Sequence, residues 1–124
     1  MYLLYALYQK RPGKRAGRGR ALVSFTSHLP QLASTALAAT VAENLTASED
    51  LQVAGPGLID STRLALSAYE LWRDILATNT EAIEQALTAY INELEQLREN
   101  LRTREARDGF ARGAELAARL RKAV

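Results

Sequence analysis

With 124 residues, 16 basic and 14 acidic side chains, no cysteine and one histidine, the chain is long enough for one domain with its own core. From its own residues it can build no disulfide framework, thiolate site or His-cluster metal site. The formal charge of +2 is uneven: Lys10, Arg11, Lys14, Arg15, Arg18 and Arg20 fall within eleven residues free of acids, which leaves the rest at about −4.

Residues 1–20 open with Met1-Tyr2-Leu3-Leu4-Tyr5-Ala6-Leu7-Tyr8 and continue into a run rich in Gly, Pro and Arg. An export signal places its charges before the apolar run and a small-residue cleavage site after it, the reverse of this order, so the sequence reads as cytoplasmic. The basic run reads as a solvated, disordered lead-in, and no nucleic-acid partner is expected, because no aromatic interleaves the arginines for base stacking. Gly17-Arg18-Gly19 is no dinucleotide loop either, since Leu22 stands where the third glycine belongs.

Ala21 to Ala42 is the stretch around which the chain is organised. Its 22 residues include no Asp, Glu, Lys or Arg, although charged residues make up 24% of the chain. Leu22, Phe25, Leu29, Leu32 and Ala36 recur at helical steps and form an apolar stripe. Ser24, Ser27, His28, Gln31 and Thr35 follow the same steps on a second, uncharged polar stripe. Nine of the 22 residues are Ser, Thr, His, Gln or Pro, and each polar group would need a partner in lipid. A helix wrapped by protein on all sides fits better than a membrane span. Pro30 inside it predicts a kink beside His28, which either presents His28 to a cavity or leaves it a buried histidine satisfied by a neighbour.

Asn44 to Asp50 reads as a loop, and its Asn44-Leu45-Thr46 glycosylation triplet as a chance match without a signal peptide. In Gly55-Pro56-Gly57-Leu58-Ile59-Asp60-Ser61-Thr62-Arg63, a turn feeds a short helix with Asp60 as expected N-cap and Arg63 in the first turn. Free N–H groups beside a guanidinium make a carboxylate or phosphate site; the competing reading pairs Arg63 with Asp60 or a remote carboxylate. Ser67-Ala68-Tyr69-Glu70 is a capping box opening a helix with Leu71, Trp72, Ile75 and Leu76 on its apolar face. From Thr80 a 4-3 rhythm through Ile83, Leu87, Tyr90, Ile91, Leu94, Leu97 and Leu101 predicts a long helix packed on another, in this chain or a second one. Arg102 to Glu105 breaks the pattern. A last helix carries Phe110, Leu116, Ala117 and Leu120 and is weakened by Gly109 and Gly113. The sequence therefore reads as all-α, without a convincing strand.

Three of these runs together resemble a known family. Leu22-Val23-Ser24-Phe25-Thr26-Ser27-His28-Leu29-Pro30-Gln31-Leu32-Ala33, then Gly57-Leu58-Ile59-Asp60-Ser61-Thr62-Arg63-Leu64-Ala65, then Leu71-Trp72-Arg73-Asp74-Ile75 with Asn79, are similar to the C-terminal helical domain of prephenate dehydrogenase. The resemblance spans roughly residues 21–121. It implies a helical bundle like the C-terminal domain of 6-phosphogluconate dehydrogenase, intertwined as a homodimer, over residues 21–124.

In that family a Rossmann domain binds NAD or NADP, while the helical domain dimerises and supplies part of the substrate site. The reaction is oxidative decarboxylation of prephenate on the route to tyrosine, or the corresponding reaction of arogenate. By resemblance, Arg63 grips a substrate carboxylate, His28 hydrogen-bonds the substrate, and Trp72 and Gly57, with Ser27 and Asp60, shape the pocket. The nucleotide-binding domain is not in this sequence, so no cofactor site and no catalytic residue are expected in it. A separate Rossmann-domain chain is the partner this implies. The family's His-Asp pair before the central helix is replaced by Gly19-Arg20. A stand-alone module sensing prephenate, arogenate or tyrosine, and a purely structural dimerisation module, are the other two readings.

Overall fold

The uncharged stretch lies in a longer helical run than its composition marks out. In the computed structural model, which describes residues 14–45 and 47–124, α1 spans Lys14–Val23, a π-helical turn spans Ser24–His28, and α2 spans Leu29–Asn44. The boundary drawn at residue 20 thus falls inside α1. The lead-in up to residue 13 and Thr46 of the glycosylation triplet lie outside the described residues. Beyond α2 come a 3-10 turn at Ser48–Val53, the short helix α3 at Pro56–Ser61 and a second 3-10 turn at Arg63–Leu66. Then follow α4 at Tyr69–Thr78, α5 at Thr80–Thr103 and α6 at Arg107–Ala123, with no strand among the described residues.

Pro30 opens a helix where the sequence predicts a kink. The π turn closes with the Leu29 N–H donating to the Ser24 carbonyl five residues back, and α2 starts there. Pro30 then lies in the first turn of α2, directly after the widened turn, with the chain helical on both sides of it. The chain absorbs its proline by widening one turn.

The chain divides into two units, one ending at Leu87 and the other spanning Thr88–Val124. In the first, the two stripes of the central helix face the opposite way from what hydrophobicity suggests. Ser24, Ser27, His28, Gln31 and Ser34 are buried, whereas Leu22 is 39% and Phe25 49% exposed. The cause is partner supply, since a buried polar group needs a hydrogen bond. The Ser24 hydroxyl donates to the Ala21 carbonyl at 2.6 Å, Ser34 Oγ to the Ser61 carbonyl at 2.8 Å, and Gln31 Nε2 to the Leu64 carbonyl at 2.8 Å. On the apolar stripe Leu29 and Leu32 are half-buried, and Leu22 and Phe25 are not covered by the described residues, so the expected all-round wrapping is not met among them. Val23 and Ile75, with Trp72 against them, form the small apolar cluster of this unit, and Ile83 and Ala86 are buried on α5.

In the second unit α5 ends as the sequence predicts, and Arg104 closes it in the left-handed conformation at φ 61°. The Glu105 N–H reaches back to the Asn100 carbonyl at 3.0 Å, the long bond of a Schellman-type end. Arg112 of α6 bonds both Glu93 carboxylate oxygens, at 2.7 and 3.2 Å, and Asp108 Oδ2 at 2.8 Å. That guanidinium holds the Glu93 carboxyl below its usual range, so Glu93 is an ion-paired residue and not a bare solvated carboxylate. A Cβ on Gly109 would stand 3.0 Å from Leu97 Cδ2, so the glycine lets the two helices approach. The rest of the seam is open: Ile91, Leu94, Leu101, Phe110, Leu116 and Leu120 are all exposed.

Candidate functional site

His28 closes the π turn and has no exposed surface. Facing it is Asn79, the single residue between α4 and α5, whose side-chain nitrogen contacts the Arg20 carbonyl and His28 Nδ1, each at 3.2 Å. A carbonyl only accepts, so the amide nitrogen must face Arg20, and it then donates to His28 Nδ1 as well. The hydrogen-bond network therefore assigns the imidazole proton to Nε2. Burial holds the His28 pKa below its ordinary 6.5, which keeps the ring neutral at physiological pH.

Trp72 meets His28 edge to face, with ring centroids 5.9 Å apart and planes at 90°. The structure thus brings together two of the sequence-predicted site residues, with Ser27 buried beside His28 in the same turn. His28 is thus a buried histidine whose Nδ1 is met by Asn79.

The other predicted residues lie on the segment from α3 to the second 3-10 turn. Gly57 and Asp60 are exposed on α3, and Arg63 is exposed at the start of the turn. This segment is tied to α2 by the Gln31 bond to the Leu64 carbonyl in the turn and the Ser34 bond to the Ser61 carbonyl at the end of α3. Asp60 is not the N-cap expected of it. Gly55 is extended at the cap and Pro56 follows with φ already helical, so α3 starts there and leaves Asp60 in its last turn. Arg63 consequently stands beyond the helix instead of in its first turn, and no helix-start anion site forms there. Among the described residues Arg63 makes no ion pair with Asp60 or any other acid, and its guanidinium is open to an external anion.

Ser67 does not cap α4. Ala68 occupies the cap position, where its methyl offers no acceptor, and the Ser67 N–H closes the preceding turn on Leu64. Gly17 and Gly19 lie within α1, so they offer no strand-to-helix loop to a dinucleotide, and the described residues do not fit one. They hold no cluster of three or more His, Cys, Asp or Glu suited to a metal ion. None of the described helices is long and apolar enough to cross a membrane.

Against family models, residues 20–116 match prephenate dehydrogenase, dimerization domain. The chain belongs to this family. The matched segment of this dimerization domain takes in His28, Arg63, Trp72 and Asn79 together, and it starts at Arg20, whose carbonyl receives the Asn79 bond. No curated protein and no solved structure matches the chain.

Two residues of the site escaped the sequence reading as site residues. Asn79 was read as part of the third family motif, without a role in the site. Gln31 belongs to the polar stripe, but its use depends on the carbonyl of Leu64, 33 residues away.

Proposed function

We propose that this chain is the substrate-binding and dimerisation half of a prephenate or arogenate dehydrogenase of tyrosine biosynthesis. The observation that carries the reading is Arg63: an exposed guanidinium without an ion pair among the described residues, on a segment held to α2 by the Gln31 and Ser34 bonds to the carbonyls of Leu64 and Ser61. A guanidinium so placed can grip a carboxylate through two parallel N–H donors. Gly57 and Asp60 border the same segment and would shape the approach to it, while Trp72 closes over His28. Because His28 is buried in the single chain, a substrate hydrogen bond to it requires Trp72 or the π turn around Ser27 to shift. NAD or NADP would be held by a Rossmann domain outside the matched segment, where the oxidised nicotinamide would supply the hydride acceptor, while this segment would orient the acid.

The fold we propose is that of the C-terminal domain of 6-phosphogluconate dehydrogenase, intertwined as a homodimer. Its support is the family of dimerization domains together with the uncovered apolar stripe on α1 and α2 and the open seam of α5 and α6. Calorimetric titration with prephenate, arogenate and tyrosine tests the reading. Binding of at least one ligand is expected, weakened tenfold or more by Arg63→Ala, in line with the loss of a charge-assisted hydrogen bond worth about 1.5–3 kcal/mol. No heat from any ligand, in a folded and self-associated protein, would leave a dimerisation scaffold without a substrate site.

A further inference from the structure

Asn79 is held by its backbone at the junction of two helices. Its N–H donates to the Ile75 carbonyl of α4 at 3.2 Å, and its carbonyl accepts from the Ile83 N–H of α5 at 3.0 Å. Ile75 and Ile83 are themselves buried, and Asn79 is 4% exposed. An asparagine between two helices ordinarily caps one of them through a side-chain bond within a few residues. The Asn79 side-chain nitrogen instead reaches 59 residues back to the Arg20 carbonyl and 51 residues back to His28 Nδ1. The α4–α5 junction carries this amide, the Arg20 carbonyl of α1 orients it, and the π turn supplies the imidazole that it meets. The Arg20 bond alone would tie α1 to the junction. The second bond acts on the ring, because the partner of one imidazole nitrogen decides which nitrogen carries the proton.

We propose that Asn79 is a positioning residue for ligand binding: it holds His28 in the tautomer whose Nε2–H donates, so that the bound acid presents an acceptor oxygen to the imidazole. The inference rests on the function proposed above, which places His28 against the substrate. Without the amide, a neutral imidazole can carry its proton on either nitrogen, and the tautomer with a bare Nε2 would set one lone pair against another. In a buried site water cannot make good that mismatch, so the tautomer separates a hydrogen bond made from an acceptor left unmet.

His28 is the only histidine of the chain, so protein labelled with nitrogen-15 histidine gives one pair of ring-nitrogen signals by magnetic resonance. At a pH where the ring is neutral, Nε2 should carry the proton in the native protein. Saturation with whichever of prephenate and arogenate binds should shift the Nε2 signal and leave the proton in place. In Asn79→Asp a carboxylate facing Nδ1 should draw the proton to that nitrogen, and calorimetric affinity for the same acid should fall about tenfold or more, the scale of an acceptor left unmet. Asn79→Ala favours neither nitrogen, so its loss should be smaller than that of Asn79→Asp. Both variants lose the Arg20 bond, and bracing alone would weaken them alike. Melting curves establish that they fold, and the native spectra decide the case if either does not. A proton on Nδ1 in the native protein, an Nε2 signal unmoved at saturation, or equal losses in the two variants would overturn the inference. Where Arg63→Ala weakens binding in those cases, the function proposed above survives without it. No binding of either acid to the native protein removes both.

Discussion

The state of His28 follows from one amide. Asn79 Nδ2 serves the Arg20 carbonyl and His28 Nδ1 together, so a proton arriving on Nδ1 would set one donor against another in a buried site. Its folded pKa lies below 6.5, so the native state binds fewer protons than the unfolded chain. Stability is then complete above the unfolded value of about 6.5 and falls as pH drops below it, until the folded pKa is reached. Urea denaturation at a series of pH values should show this decline with a slope of at most about 1.4 kcal/mol per pH unit from this one group. In His28→Gln the decline below pH 6.5 should shrink by that proton's share, and an unchanged slope would show that His28 does not carry it. Asn79 could not have been identified by spacing: it lies 51 residues from His28, and no local pattern links them.

At the scale of elements, the two glycines of α6 are predicted to behave differently although the sequence treats them alike. At Gly113 an added Cβ meets nothing within 4 Å, so Gly113→Ala should raise the stability by about 0.8–1.0 kcal/mol through helix propensity. At Gly109 the new methyl would press on Leu97 Cδ2 at 3.0 Å, and Leu97 must give way, so Gly109→Ala should gain less than Gly113→Ala or lose stability. Equal gains in urea midpoints would contradict the close approach of the two helices at Gly109. The helix rhythm from Thr80 to Leu101 was legible because a long amphipathic pattern repeats its signal many times. The short elements were not. Competition between Asp60 and the Gly55-Pro56 pair for the start of α3 is settled by a single residue's φ, and the π turn beside Pro30 has no periodicity of its own.

For the whole molecule, the buried set of the first unit is mostly polar, while large apolar side chains of both units lie in the open. Free energy from burial is roughly proportional to apolar area removed from water, so these surfaces favour association with a second copy. Phe25, 49% exposed in the single chain, can be replaced without opening a cavity. Phe25→Asp is therefore expected to shift the mass measured by light scattering from twice 13.6 kDa towards 13.6 kDa while helical content is retained. A dimer that survives the substitution would place the interface elsewhere.

By itself the sequence determined the all-α class, the long helix from Thr80 with its break after Thr103, and membership of the dimerization-domain family, because these rest on repeated patterns and on motifs with fixed spacing. It also singled out the uncharged helix and both of its stripes. Only the tertiary structure decided which stripe faces inward. Hydrophobicity ranks side chains one at a time, whereas burial of His28, Gln31 and Ser34 depends on acceptors and donors brought in from Ser61, Leu64 and Asn79 by the fold. Ser24, Ser27, His28 and Gln31 of the polar stripe are inside, the last two held by partners that the fold supplies, while Leu22 and Phe25 of the apolar stripe stay exposed among the described residues.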